Sequence, residues 1–247
     1  LRKTQPHAYH YAEVADFSNP CGGTRWRELA NGQIEIEGRG VLYTNTEDSR
    51  YTYQSWQNFS AEILAASKRR GVPVSWILAI IVVETGMWSG NRDKQIGGPI
   101  NCPATCCYGP MAVMVCPYMN GRTYGGYPDA EDMLDPRKNI DAGAAIMASH
   151  QRKGYDLPAI AALYNSGGLC CPNSPATPSR PGGRQWNEFS LCSASPGGMP
   201  YPELAIRVNN TAIASLKLGS APVLLYAAVG ALVVAAGAAA FGVLPSR

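Results

Sequence analysis

The run Pro73 to Gly86, PVSWILAIIVVETG, constrains this chain more than any other stretch. Val74 to Val83 is almost wholly apolar, so a helix over these residues has no polar face to offer water and belongs at the centre of a domain. Pro73 carries the fixed φ that suits a helix start, and Gly86 offers a stop. The one charge in the run is Glu84, which falls at the end of the helix and the edge of the core. Burial and the negative end of the helix dipole both disfavour a carboxylate there. Glu84 is therefore expected to hold its proton near neutral pH, as a general acid must. The plainer reading is a glutamate at a helix mouth, solvated or paired with an arginine.

With 247 residues, 46% of them hydrophobic, the chain can build one fair-sized domain with additional segments, and a disordered protein is excluded. A net charge of +3 is too mild for a nucleic-acid partner, and Lys68-Arg69-Arg70 is the one basic block. Eight cysteines, at 21, 102, 106, 107, 116, 170, 171 and 192, cluster in Gly/Pro-rich loops. That placement favours disulfides and an oxidising compartment. Neighbours such as Cys106 and Cys107 are expected to reach outward rather than bond to each other. A zinc site lacks a C-x-x-C knuckle and a nearby histidine, so neither metal nor cofactor is expected.

Along the chain, the alternation Gln33 to Glu37, the run Val41 to Thr44, a turn at Asn45 to Asp48 and the run Tyr51 to Trp56 predict a small β-hairpin appendage. Residues 1 to 32 have no clear period and read as an arm laid on the domain or on a partner. Ser60 is expected to cap a helix through Arg70, closed by Gly71, with the Glu84 helix coming after a short connection. Ser89 to Asp135 reads as a long irregular region. Asp135-Pro136 opens the next helix, with Ile140, Ala144, Met147 and Ala148 on one face and Gly154 at its end. Pro158 opens another over Ala159 to Tyr164. A second Cys/Pro-rich loop spans Leu169 to Pro200, and Pro202 starts a last helix running to about Lys217.

Ala221 to Leu244 carries no charge, and about 24 apolar or small residues suffice to cross a bilayer as a transmembrane helix. Ala227, Ala231, Ala235 and Ala239 lie four apart, a stripe suited to packing against another membrane helix. The expected organisation is mainly α: an arm and β-hairpin over 1–58, a helical catalytic domain over 59–218 and a C-terminal transmembrane anchor over 219–247.

Four stretches in order carry a resemblance to a known family. AIIVVETG (Ala79 to Gly86) is similar to a helix that ends in a catalytic glutamate followed by Ser or Thr and Gly. YGPMAV (Tyr108 to Val113) is similar to a Gly-x-Met-Gln turn, NIDAGAAIM (Asn139 to Met147) to a core helix, and AIAALYNSGG (Ala159 to Gly168) to a helix ending in Tyr-Asn-Ala-Gly. The chain resembles the soluble lytic transglycosylases, which share the goose-type lysozyme-like fold, over roughly Ser60 to Gly168. Tyr201 to Ala214 is a weaker match to the closing helix.

The resemblance implies that Glu84 is the single acid and base, that Gly109 and Met111 line the glycan groove, that Tyr164 hydrogen-bonds near the glutamate, and that Asn165 helps fix its orientation and the reacting sugar. It departs at Ala112, where the family has glutamine, and at the insert Cys102 to Cys107. The implied substrate is the glycan strand of peptidoglycan, cut between N-acetylmuramic acid and N-acetylglucosamine to leave a 1,6-anhydro end. Most glycosidases need two carboxylates. A lysozyme-type hydrolase of the same fold would take Asp93 as the second, and a catalytically weak glycan-binding membrane protein is the third reading. The apolar tail places the catalytic domain on the peptidoglycan-facing, extracytoplasmic side of a membrane. The setting is then a bacteriophage particle that opens the wall locally, with the N-terminal arm on other virion proteins, or a bacterial secretion or conjugation complex of the envelope.

Overall fold

The computed structural model describes residues 16–20, 24–87, 89–97, 107–115, 132–166 and 199–218. Among them are a three-stranded antiparallel sheet (β1 Trp26–Glu28, β2 Ile34–Ile36, β3 Gly40–Val41), helices α1 (Thr46–Arg70), α2 (Val74–Ile81) and α3 (Arg92–Gly97), and a two-stranded hairpin (β4 Cys107–Tyr108, β5 Val113–Met114). Helices α4 (Pro136–Gln151), α5 (Leu157–Ser166) and α6 (Tyr201–Leu216) complete the order. The mainly helical reading holds. No described helix is long and apolar enough to cross a membrane, and Ala221 to Leu244 lies outside the described residues.

α2 is the central helix, as its sequence demands: each of its eight residues is buried. α1 packs across it and α4, while α6 packs against α2 and α5. Asp135 caps α4 by accepting from Arg137 N at 2.9 Å, and Ile140, Ala144, Met147 and Ala148 all turn inward. Gly71 ends α1 in the left-handed conformation, donating to Ser67 O at 2.8 Å. Asp141, on the buried face of α4, accepts from Arg69 at 3.2 Å and from Arg70 at 3.0 Å, which lashes the end of α1 to α4.

The expected hairpin is corrected. Asn45 is the N-cap of α1, its side chain accepting from Asp48 N at 2.7 Å, so Tyr51 to Trp56 is helical and the boundary expected between residues 58 and 59 falls inside α1. The inward positions of the first half are Thr52, Ser55 and Phe59. Two of these are small and polar, which hid a helical period from a count of apolar residues. Ser60 comes directly after a kink at Phe59 (φ −135°, ψ 15°) and does not start a helix. Within Gln33 to Glu37 the residues Ile34–Ile36 do form a strand, but its first partner is β1, three residues too short to show a period, paired in the register Trp26↔Ile36 and Glu28↔Ile34. The region Ser89 to Asp135, expected to be irregular, contains α3 and the β4–β5 hairpin.

The sheet is built into the helical body. Trp26, Ile34 and Ile36 point into the core. Asn210 of α6 behaves as an additional strand peptide: its Oδ1 accepts from Ile34 N at 2.7 Å, and its Nδ2 donates to Ile34 O at 2.8 Å and Leu42 O at 2.9 Å. A buried side-chain amide with all these bonds met fixes a register that apolar contact alone would leave free to slide.

Candidate active site

α2 does not stop before its glutamate. It widens into one π turn over Val82–Gly86, closed by Met87 N on Val82 O at 2.9 Å. Such wide turns are often found at functional sites. In this one Val82, Val83, Thr85 and Gly86 are buried, and Glu84 alone keeps contact with solvent. Two flanking contacts hold the turn open. Thr85 Oγ1 donates to Pro110 O at 2.8 Å, while Gly86 lies so close to Ser55 that an added Cβ would stand 2.6 Å from its hydroxyl. Glycine is required there for closeness, where the sequence suggested only a helix stop.

Glu84 Oε1 accepts a hydrogen bond of 2.6 Å from the hydroxyl of Tyr201, at the start of α6. Burial pushes the Glu84 carboxyl up to about 7, and the Tyr201 bond, which favours the charged form, restrains the rise. The Tyr201 hydroxyl is itself raised well above its ordinary range, by burial first and then by the neighbouring Glu84 charge. It therefore remains a neutral donor at every pH the acid works at. Tyr164 is the other phenol within electrostatic reach of Tyr201.

Beside the π turn lies the turn Gly109 to Ala112, closed by Ala112 N on Gly109 O at 2.9 Å. Gly109 has φ +71°, and a Cβ there would lie 2.3 Å from Asn139 Nδ2 and 2.4 Å from Met133 O. Asn139 of α4 donates to Tyr108 O at 2.7 Å and accepts from Met111 N at 2.9 Å. Tyr164 donates to Met111 O at 2.7 Å. Three helical segments thus hold one turn against the glutamate.

Several sequence expectations change here. Met111, expected on the groove wall, is wholly buried, with its sulfur packed against Gly143 of α4. Gly109 is buried too, so both shape the site from behind. Tyr164 bonds the Met111 carbonyl in the turn beside the glutamate, and the hydrogen bond on Glu84 itself comes from Tyr201. Asn165 is exposed at the end of α5 and makes no hydrogen bond to Glu84. Ala112 takes φ +47°, a left-handed conformation that costs a non-glycine residue about 1 to 2 kcal/mol. Asp93 is exposed on α3, and among the described residues no second carboxylate contributes to the shift of Glu84. Of the eight cysteines only Cys107 is among the described residues. Among those residues, no three His, Cys, Asp or Glu side chains stand close enough to hold a metal ion.

A family model described as the transglycosylase SLT domain matches residues 62–186. The chain belongs to the transglycosylase SLT domain family. At the level of that family it is a lytic transglycosylase acting on peptidoglycan. The matched span takes in Glu84, the Gly109 to Ala112 turn and Tyr164, whereas Tyr201 lies beyond its end. No curated protein and no solved structure gives a significant match. Sequence reasoning missed Tyr201, and its one signal was the weaker likeness of Tyr201 to Ala214 to the family's closing helix.

Proposed function

We propose that this SLT-family chain cleaves the β-1,4 bond between N-acetylmuramic acid and N-acetylglucosamine with Glu84 as its only acid and base. The observation that carries the reading is a largely buried carboxyl at the edge of the core, raised to about 7 by burial, with a neutral phenol as its hydrogen-bond donor. Such a group can give up a proton and take one back at the same pH. Glu84 protonates the glycosidic oxygen as the C1–O bond breaks, and the N-acetyl carbonyl of the muramyl sugar steadies the positive charge at C1. The Glu84 carboxylate then takes the proton of the C6 hydroxyl while O6 bonds to C1. The acid is regenerated, the new end is 1,6-anhydro, and no water is consumed.

Tyr201 steadies the Glu84 carboxylate between the two proton transfers. Tyr164 and Asn165 flank the place where glycan would lie, and the Gly109 to Ala112 turn supports the site from behind. Digestion of purified peptidoglycan in oxygen-labelled water tests this: products should be anhydro ends carrying no label. Labelled reducing ends would make the chain a lysozyme-type hydrolase, and no cleavage would make it a glycan-binding protein.

The apolar segment Ala221 to Leu244 is proposed as a membrane anchor, with the catalytic body on the peptidoglycan-facing side and the cysteines paired. The setting this favours is a phage particle that breaches the wall, with the residues ahead of β1 on neighbouring virion proteins. The length and lack of charge of the segment support the anchor. A chain ended near Leu218 should be soluble and still cleave sacculi, while the full chain partitions into detergent. Detection of the chain in purified virions would separate the phage setting from an envelope complex.

A further inference from the structure

The first turn of α6 carries two functional contacts two residues apart. Tyr201 reaches Glu84, and Glu203, 5% exposed, takes a two-pronged bond from Arg39: Nη1 to Oε2 at 2.9 Å and Nη2 to Oε1 at 2.8 Å. The start of α6 has no side-chain cap, because the residue before it is Pro200. An uncapped first turn frays unless something outside the helix holds it. Arg207 also bonds Glu203, but it belongs to α6 itself, one turn further on. Arg39 comes from elsewhere, the turn between β2 and β3, shaped by Gly38 and Gly40 at φ +72°. The sheet behind that turn is pinned to the middle of α6 by Asn210 and, through Thr44, by Thr211. The sheet therefore grips α6 at its middle and again at the turn that bears Tyr201.

We propose that Arg39 is a positioning residue for the catalytic acid: through its fork on Glu203 it fixes the first turn of α6 and so the Tyr201 hydroxyl on Glu84. Residues 26 to 41, the sheet, lie outside the span that matches the family model. Here they complete the site rather than decorate it. The planar fork is what orients; a lysine ammonium in its place gives attraction without direction. Misplacing the donor by a fraction of an ångström to an ångström is enough to cost catalysis severalfold or more.

The test uses the full chain and two readouts. The first is the titration of Glu84, monitored by the NMR resonance of its carboxyl carbon, which needs no substrate. Arg39→Ala should move it to higher pH, as should Tyr201→Phe, and Arg39→Ala added to Tyr201→Phe should move it little further. The second is kcat on purified peptidoglycan, expected to fall about tenfold with KM little changed, with Arg39→Lys between wild type and Arg39→Ala. Arg25→Ala, which removes the exposed Arg25–Glu37 pair from the same sheet, should leave both readouts at wild-type values. Should Arg39→Ala fail to fold, Arg39→Gln decides by the same titration.

A folded Arg39 variant with unchanged titration and kcat overturns the proposal, as does a loss that simply multiplies with that of Tyr201→Phe. The kinetic arm rests on the transglycosylase reading and the titration does not. An inactive wild type whose titration still moves in Arg39→Ala would refute that reading alone.

Discussion

The Tyr201 hydroxyl stands 2.6 Å from Glu84 Oε1, although the two residues are 117 positions apart in the chain. One lies on the wide turn ending the central helix and the other on the first turn of the last described helix, so the acid and its donor meet only when the body is assembled. Tyr201→Phe removes a hydrogen bond that favours the charged carboxylate, so the Glu84 pKa should rise above about 7. Because a general acid fails as it loses its proton, the alkaline limb of the pH–activity curve should shift to higher pH. The maximum should fall about tenfold, in keeping with a bond to a charged group. A pH–rate profile of the purified variant measures both.

Glu84→Gln should abolish nearly all cleavage, since the amide cannot deliver the proton and this step is worth about 10² to 10⁴-fold or more. It should not harm the fold. The folded pKa lies above the unfolded one of 4.5, so below 4.5 both states hold the proton and the group is neutral in effect. Stability then falls as pH rises from 4.5 to about 7, because the unfolded chain ionises first. Above that the wild type bears the full penalty, on the order of 3 kcal/mol. The variant should melt higher than wild type at pH 8 and level with it at pH 4, by calorimetry.

A pair of carboxyl groups, Glu28 and Asp156, lies where β1 meets the start of α5. Glu28 is pushed up to about 7 by burial and then by Asp156, which accepts from Trp26 Nε1 at 2.6 Å and caps α5. As with Glu84, the sign runs against stability at high pH. Glu28→Gln should raise the melting temperature at pH 8 and change little at pH 4, while activity at neutral pH stays near wild type.

Two glycines with nearly the same backbone should respond differently to alanine. Gly71 has φ +74° and open space where a Cβ would go, so Gly71→Ala should cost about 1 kcal/mol of backbone strain. Gly109, at φ +71°, would drive its Cβ into Asn139 and Met133. Gly109→Ala should cost about 3 kcal/mol and displace the turn beside Glu84, with activity lost even at temperatures where the protein is folded. Urea denaturation and a glycan-release assay on both variants decide it.

What the sequence disclosed was whatever depends on neighbours in the chain. The apolar run made α2 central and put Glu84 at its edge; Asp135-Pro136 and Gly71 marked helix ends by local hydrogen bonding alone. What it concealed depends on packing. The first half of α1 buries Thr52 and Ser55, which carry no hydrophobic signal, and β1 is too short to alternate. Nothing in VVETG distinguishes a π turn from an α turn, because the difference arises from Pro110 accepting from Thr85 and from Ser55 crowding Gly86. Motif likeness gives Met111 a position in the site without a direction, and its side chain points into the core. Tyr201 was missed because its partner is a whole fold away.

The wide turn Val82–Gly86 holds one residue more than an α-helical turn. Removing any one residue from it would let the chain close into regular helix, and the residues beyond the deletion would rotate by roughly 100° about the axis. Exposure of the acid is thus set by how many residues the segment contains as much as by which they are. A single-codon deletion could silence this chain while leaving every core residue of α2 in place, and a search for inactive variants should look for changes of length there as well as for changes of letter.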